Sequence, residues 1–338
     1  MHSGLVHNLD LDRDGKVLDW LSIPVSVDRS PYFQVKIPVC VIRNGEGPTV
    51  LLMAGNHGDE YEGELSLARL IRRLDPAAIK GRVTILPITN APAVMAGKRC
   101  SPLDSGNLNR AFPGDPIGTP TSRLAHFLEK ELFPRHEVVL DIHSGGTSME
   151  HLPVALIEHN ADAERHARAV QLMAALGMAH AFVADNGAAS PTSMGAARRA
   201  GAIGLSGEFG GGGTATVDSM AITARAIDNL LLTLGVTDGS VLGDGRAPAE
   251  PMRLMSLARH SLGLYATRRG WFEPAIRLGA EVAAGDLAGW YHDLERLDVA
   301  EEPLCFAESG LVISRRLHTM SEAGDCLVQV AEPRAVRP

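Results

Sequence analysis

The sequence has 338 residues, of which 45% are hydrophobic, and its formal net charge is −8. This length allows one large α/β core with a smaller second domain, and the composition is typical of an ordinary soluble globular protein. An acidic chain lacks the excess of Lys and Arg that a phosphate-binding surface requires, so these totals argue against nucleic acid as a partner and leave open only local basic patches.

Targeting and membrane signals are not indicated by the sequence. Residues 1–7 lack a basic segment followed by a long apolar stretch, and no later run approaches about eighteen uncharged apolar residues. The four cysteines lie far apart without a Cys-x-x-Cys pair, which predicts buried thiols in a reducing compartment. We therefore expect a cytoplasmic protein that does not span a membrane. Its oligomeric state stays open, a homo-oligomer included.

The first forty residues contain two features that predict β structure. Residues 10–15 have the pattern Asp-x-Asp-x-Asp-Gly, which mimics the start of an EF-hand calcium loop, but Leu21 stands where that loop needs Glu. We interpret this segment as a hairpin turn. Between residues 19 and 42, alternating and β-branched residues are interrupted by three prolines, a pattern typical of short strands at a sheet edge.

Residues 50 to about 235 alternate short apolar runs with helical patterns. This alternation predicts a mainly parallel or mixed sheet with helices on both faces. The predicted strands cover residues 50–54, 82–88, 138–142, 153–157, 180–183 and 202–206. The first predicted helix covers residues 61–74, and the others are a helix capped by Asn160 and ending at 176, one from Ser190 to about 201, and one from about Asp218 to 234.

A turn-rich segment at residues 238–248 predicts a domain boundary near residue 250. The chain would then divide into a catalytic domain with N-terminal strands at 1–250 and a β-rich domain at 251–338. The second part has short β-like runs at 275–278 and 310–314. Its Gly-rich turns resemble those of lipoyl- and biotinyl-type β-sandwiches, but a carrier domain needs a lysine, and the last lysine in the chain is Lys130.

Candidate metal ligands follow two of the predicted strands. His57 and Glu60 lie in the loop between strand 50–54 and helix 61–74, and His143 ends strand 138–142. Open α/β sheets bind ligands outside the carboxyl ends of their strands, and a catalytic Zn²⁺ takes three protein ligands. The sequence thus predicts one zinc site formed by these three residues. Asp141 shares a strand face with His143, and it either orients that ligand or serves the structure alone.

Three motifs in order resemble one known family. Residues 55–63, 107–114 and 141–146 resemble motifs of the succinylglutamate desuccinylase/aspartoacylase family of zinc amidohydrolases. Residues 207–214, Gly-Glu-Phe-Gly-Gly-Gly-Gly-Thr, are most similar to the subgroup that deacetylates Nα-acetyl-L-2,4-diaminobutyrate in ectoine degradation. The resemblance implies a zinc-carboxypeptidase-like α/β/α sandwich with a mixed sheet, and a small C-terminal β domain that acts as a lid or wall of the active site.

The resemblance also implies the catalytic groups. Glu208 ends a strand-like run and occupies the position of the family's catalytic acid, so it is the candidate that activates water. The four glycines after it would let backbone approach a ligand closely. The alternative for Glu208 is a surface glutamate before a flexible loop. Asn109 and Arg110 match the pair that holds the substrate carboxylate in the family, and Arg99 is the candidate that polarises the carbonyl.

The expected function is zinc-dependent hydrolysis of the amide bond of a small-molecule N-acyl amino acid, with Nα-acetyl-L-2,4-diaminobutyrate as the favoured substrate. Succinylglutamate desuccinylase and aspartoacylase activities are the near alternatives. A zinc carboxypeptidase is a further one, although a C-terminal lid would obstruct peptides. A zinc-binding protein without catalysis would have no use for Glu208.

Overall fold

The computed structural model describes residues 4–243 and 252–334. Its helices are α1 (Tyr61–Arg73), α2 (Ala91–Ala96), α3 (Pro120–Phe127), α4 (Ala163–Ala175), α5 (Ser193–Arg199) and α6 (Val217–Thr233). The strands before residue 243 are β1 (Gly15–Val27), β2 (Ser30–Asn44), β3 (Thr49–Ala54), β4 (Gly81–Leu86), β5 (Val138–His143), β6 (Met149–His151), β7 (Val154–Glu158), β8 (His180–Ala184) and β9 (Ile203–Glu208). The later strands are β10 (Arg253–Ser256), β11 (Gly263–Tyr265), β12 (Gly270–Pro274), β13 (Glu281–Val282), β14 (Leu287–His292), β15 (Glu302–Cys305), β16 (Gly310–Arg316), β17 (Met320–Ser321) and β18 (Cys326–Pro333).

Fourteen of the described strands form one mixed sheet. Its order is β1-β2-β4-β3-β5-β9-β7-β8-β10-β18-β16-β13, with β6 paired to β16 and β11 paired to β18. Strands β4, β3, β5 and β9 are parallel to one another. Strand β2 runs antiparallel to both of its neighbours, whereas β7 runs antiparallel to β9 and parallel to β8. Strands β15, β14, β12 and β17 form a separate antiparallel sheet. The predicted α/β class, with a mixed sheet and additional C-terminal β structure, is confirmed.

Helices cover both faces of the central strands. Leu52 of β3 and Leu140 of β5 lie in one core cluster with residues of α1, α4 and α6. Leu51 and Val139, the adjacent positions, lie in a second cluster with residues of α3 and α5. Since successive side chains of a strand point to opposite faces, these clusters are the two interfaces of an α/β/α sandwich. In the described part of the chain, none of the helices is both long and apolar enough to cross a membrane.

The six predicted strands of the central region coincide with β3, β4, β5, β7, β8 and β9 to within two residues at each end. The helix caps differ from the predicted ones. Asp162, rather than Asn160, caps α4 by accepting a hydrogen bond from the Arg165 amide at 3.1 Å. Thr192, rather than Ser190, caps α5, and Thr216 caps α6. In each case the cap lies next to the first helical residue, where its side-chain oxygen reaches an unpaired amide.

The N-terminal prediction of short strands was wrong. Strands β1 and β2 form one long hairpin of 13 and 15 residues, and its turn lies between Val27 and Ser30. Residues 11, 12 and 14 form bends before β1, and this segment is not a hairpin turn. The prolines are tolerated because β1 is an edge strand and Pro38 lies in the half of β2 that pairs only with β1.

One C-terminal strand was also predicted wrongly. Strand β12 ends at Pro274, and residues 275–278 form no strand. Ile276 and Leu278 instead pack, partly buried, against the core of the C-terminal region, which explains their apolar character. Strand β10 is hydrogen-bonded in parallel to β8 and antiparallel to β18, so the sheet continues from one region into the other. The domain division near residue 250 stays a prediction, and residues 244–251 lie outside the described part.

Candidate active site

The loop between β3 and α1 buries two of the predicted metal ligands. Its backbone packs against the segment that follows β4, where the Gly58 amide donates to the Lys98 carbonyl at 2.9 Å. A Cβ atom on Gly58 would lie 2.0 Å from the carbonyl carbon of Ala93, so only glycine fits this approach. The tight packing holds His57 and Glu60 at 2% and 3% exposure.

His143 lies opposite these two residues, at the carboxyl end of the neighbouring strand β5. One possible ligand atom from each of His57, Glu60 and His143 lies within 4.8 Å of the other two. The His57 Nδ1 is 3.2 Å from the carbonyl oxygen of Arg99, so it carries the proton and leaves Nε2 free to bind a metal. Two neutral imidazoles and one carboxylate form a suitable ligand set for a divalent metal with an open coordination position.

Asp141 orients the ring of His143. Its Oδ2 accepts hydrogen bonds from His143 Nε2 at 2.9 Å, from Asn56 Nδ2 at 2.9 Å and from Ser193 Oγ at 2.5 Å. The carboxylate is fully buried. Burial opposes its charge, but the three donors outweigh burial and lower the pKa of Asp141. Because Nε2–H is held by Asp141, the other ring nitrogen of His143 faces Glu60.

His143 and Glu60 are in direct contact. His143 Nδ1 lies 2.8 Å from Glu60 Oε2, which also accepts from the Ser144 amide at 3.1 Å. Burial raises the pKa of Glu60 to about 7. Burial disfavours a charged His143, yet Asp141 and Glu60 outweigh it and raise the pKa of this imidazole. A metal ion binding here must therefore displace one proton.

Glu208 lies next to His143 at the end of β9, because the two residues are directly paired in the parallel register of β5 and β9. The side chain is half-buried. Its Oε2 is buried and accepts no hydrogen bond from the described residues. A buried carboxylate oxygen without a donor is available to a water molecule or to substrate.

The glycines after Glu208 lie against the segment that follows β5. A Cβ atom on Gly211 would lie 2.1 Å from the Met149 carbonyl oxygen, and Gly211 has a φ of +153°. Backbone hydrogen bonds join this loop to the segment after β5, including Gly212 N to Met149 O at 3.0 Å and Gly213 N to Gly146 O at 2.7 Å. The glycines thus permit close packing of two backbone segments, which holds Glu208 in place.

One cavity of about 620 Å³ collects the predicted site residues. His57, Glu60, His143, Glu208, Arg99, Asn109 and Arg110 all line it. Sequence positions up to 151 residues apart are therefore neighbours here, as expected where parallel strands end at one edge of a sheet. The structure brings all seven residues together, and their individual roles stay predictions.

Asn109 is held by two contacts. Its Oδ1 accepts from the Ser193 amide at 2.9 Å, and its Nδ2 lies 3.4 Å from His143 Nε2. Since the His143 Nε2–H is already donated to Asp141, the Asn109 Nδ2 contact is not a hydrogen bond, and its hydrogens remain available to a ligand.

The two arginines are more exposed than Asn109. Arg110 donates from Nη1 to the Asn109 carbonyl at 2.7 Å, and Arg99 Nη1 lies 3.4 Å from Glu60 Oε1. Burial and the nearby charge of Arg99 lower the pKa of Arg110. Both guanidinium groups can reach an anionic ligand in the cavity.

The catalytic-domain profile of the succinylglutamate desuccinylase/aspartoacylase family matches residues 46–234. This chain belongs to that family. The Nα-acetyl-L-2,4-diaminobutyric acid deacetylase of Halomonas elongata is 38% identical over 324 residues, which cover 96% of this chain and 94% of that protein. The resemblance inferred from the three motifs is confirmed.

Solved structures of family members share the whole fold. The product-bound ectoine utilization protein EutE (DoeB) from Ruegeria pomeroyi has a TM-score of 0.91 and 33% identity, covering 98% of this chain and 99% of its own. A succinylglutamate desuccinylase/aspartoacylase from Rhodobacter sphaeroides has a TM-score of 0.91 and 35% identity, covering 98% of this chain and 100% of its own. The C-terminal region is therefore included in the likeness.

Sequence reasoning missed several residues of this family member's site. Ser193 links Asp141 to Asn109, and Asn56 is the third donor to Asp141. His151 and Gln329 also line the cavity. Asn56 lies inside the quoted motif and could have been found from its position next to His57. The others have no local signal, because long-range packing places them.

Proposed function

We propose that this protein is a zinc-dependent amidohydrolase that deacetylates Nα-acetyl-L-2,4-diaminobutyrate. The observation that carries the proposal is the buried cluster of His57, Glu60 and His143 beside the unpaired carboxylate oxygen of Glu208. The deacetylase relative from Halomonas elongata, named for this substrate, supports the choice. A cytoplasmic location is consistent with four cysteines that are all unpaired.

In this proposal His57, Glu60 and His143 bind one Zn²⁺ per chain. The bound metal would supply Lewis-acid chemistry at the open side of the cluster, facing the cavity. Glu208 takes a proton from the attacking water and delivers it to the leaving amine, as its free oxygen beside His143 allows. Arg99 donates to the oxygen that becomes negative during attack, and this electrostatic support stabilises the transition state.

Asn109 and Arg110 are the proposed anchors of the substrate α-carboxylate. Arg110 presents a guanidinium to the cavity, and Asn109 presents an amide whose oxygen is fixed by Ser193. A charge-assisted pair of this kind orients the substrate before reaction.

The charges of the cavity favour a substrate with a single carboxylate. Among the described residues that line it, Arg99 and Arg110 carry the only guanidinium or ammonium groups. With Arg110 on the α-carboxylate and Arg99 at the carbonyl, no further cation remains for the second carboxylate of N-acetylaspartate or the additional ones of N-succinylglutamate. The net desolvation cost of an unpaired carboxylate disfavours both.

A substrate panel tests the proposal. Zinc-loaded protein should hydrolyse Nα-acetyl-L-2,4-diaminobutyrate with a higher kcat/KM than N-acetylaspartate or N-succinylglutamate. Equal or greater activity on either of these would overturn the substrate choice and leave the reaction class intact.

Glu208→Gln tests the catalytic assignment. It should retain zinc and lose about 10²- to 10⁴-fold in kcat, because glutamine cannot accept the proton. Glu273→Gln is the matched control, because Glu273 lies in β12 and does not line the cavity, so this variant should keep both zinc and turnover. Near-wild-type turnover in Glu208→Gln would contradict the assignment, and loss of zinc would make Glu208 a ligand.

A further inference from the structure

Three polar side chains form a row across strands β18, β16 and β6. Ser314 is directly opposite Gln329 on one side and His151 on the other. Directly opposite residues of antiparallel strands share a face of the sheet. Gln329 and His151 line the active-site cavity, and the fully buried Ser314 lies between them. The Ser314 hydroxyl donates to Gln329 Oε1 at 3.0 Å. We call these three residues the polar row.

The polar row begins close to the metal ligands. The His151 amide and the Gly145 amide both donate to the Gly210 carbonyl, each at 3.1 Å. A Cβ atom on Gly145 would lie 3.0 Å from the His151 Cδ2 atom. The imidazole of His151 is therefore packed against the turn that directly follows His143. A substrate held at the metal would extend its side chain either toward the polar row or toward the two arginines.

The polar row offers hydrogen-bond acceptors without an unpaired charge. The two arginines that follow Ser314 in β16 are neutralised, Arg315 by Glu150 at 2.8 Å and Arg316 by Asp325 at 2.9 Å. Cys326 also lines the cavity, and burial raises the pKa of its thiol to about 11, so it stays neutral. The groups that face the cavity are the second lone pair of Gln329 Oε1 and a His151 ring nitrogen, and the buried Ser314 hydroxyl holds Gln329 Oε1 by its hydrogen bond.

We propose that the polar row is the subsite for the side-chain ammonium of the substrate and determines the choice among N-acetyl amino acids. A primary ammonium has three N–H donors and no acceptor, which complements the acceptor atoms of Gln329 and His151. A carboxylate side chain would meet the same acceptors and no cation. This inference rests on the proposed deacetylase function and adds the residues that select the amino-acid side chain.

The test compares two substrates of the same shape with the full-length, zinc-loaded protein. Nα-acetyl-L-2,4-diaminobutyrate ends in an ammonium group, whereas Nα-acetyl-L-norvaline ends in a methyl group. For each variant we compare kcat/KM for the diaminobutyrate substrate with kcat/KM for the norvaline substrate. Gln329→Leu and His151→Phe should each lower this ratio by about 10-fold or more, because each removes a hydrogen bond to a charged group, and the loss of such a bond has an effect of this size. Gln34→Leu makes the same chemical change at a half-buried strand position that does not line the cavity, and it should leave the ratio unchanged.

The outcomes separate this inference from the proposed function. If both substrates lose activity equally in Gln329→Leu and His151→Phe, the row has only a structural role and the inference is wrong. If the wild type prefers Nα-acetyl-L-norvaline, the inference fails while deacetylation stands. If the wild type hydrolyses neither compound, the proposed function fails, and the inference fails with it.

Discussion

Replacing Asp141 by Asn should weaken metal binding without unfolding the protein. Three donors, from His143, Asn56 and Ser193, point at the single oxygen Oδ2, while Oδ1 is buried without a partner. An asparagine can put its carbonyl oxygen in the Oδ2 position and keep all three hydrogen bonds. The substitution therefore removes the negative charge and changes little else in shape.

The expected magnitude follows from the bond to His143. A hydrogen bond to a charged group contributes about 1.5–3 kcal/mol and a neutral one about 0.5–1.5 kcal/mol. The loss at His143 is then about 1–2 kcal/mol, which corresponds to about 5- to 30-fold weaker metal binding. Carboxylates that orient a histidine ligand have effects of this size in other metal sites.

The assay is a competition titration of zinc against a chromophoric chelator at pH 7.5, with urea unfolding of the metal-free proteins as the check on folding. Ser193→Ala is the matched control, because it removes one donor from Asp141 and keeps the carboxylate. It should weaken zinc binding less than Asp141→Asn does. A zinc dissociation constant within twofold of wild type in a folded Asp141→Asn protein would refute an orienting role for this residue.

Two further predictions concern stability. His136 is buried as a neutral ring that donates to the Leu132 carbonyl and accepts from Thr84, and burial lowers its pKa to about 3. The stability that the neutral His136 contributes is fully present above the unfolded pKa of about 6.5 and is lost as pH falls toward 3. In urea unfolding between pH 7 and 5, the free energy of unfolding of the metal-free wild type should therefore fall by about 2 kcal/mol more than that of His136→Gln. Equal losses in the two proteins would contradict this prediction. Gly211→Ala should lower the free energy of unfolding by about 1–3 kcal/mol and also lower kcat, because its Cβ would clash with a backbone oxygen. Gly239→Ala is the control, since no atom lies within 4 Å of its Cβ position, and it should be neutral. An unchanged stability and kcat in Gly211→Ala would show that the loop adapts.

The catalytic end of the sheet could be predicted because its signals are local. His57 and Glu60 lie within seven residues of the end of one apolar run, and His143 ends another. The positions where these predicted strands end are enough to place all three residues at the same edge of the sheet. The same rule places Glu208 at this edge, and its pairing with His143 depends on the order of β5 and β9 in the sheet. Periodicity is reliable here because β3, β4 and β5 are buried on both faces.

Errors arose where a residue's role depends on a distant partner. The prolines of β1 and β2 correctly indicated a sheet edge but also suggested short, broken strands, because the sequence does not reveal that β4 pairs only with the second half of β2. The close packing of the glycines after Glu208 could not be predicted, because their contact with Met149 joins segments about sixty residues apart.

The difference between local sequence signals and contacts with distant residues also applies to the polar row. Ser314 faces both His151 and Gln329 only because β16 pairs with β6, more than 150 residues earlier, and with β18. The groups proposed for the chemistry follow individual strands and carry local motifs, whereas the groups proposed for side-chain selection come from strands paired across the sheet. Substitutions in β16 and β18 can therefore alter which amino acid is accepted without disturbing the metal ligands, so family members with the same catalytic motifs can differ in substrate through their C-terminal strands.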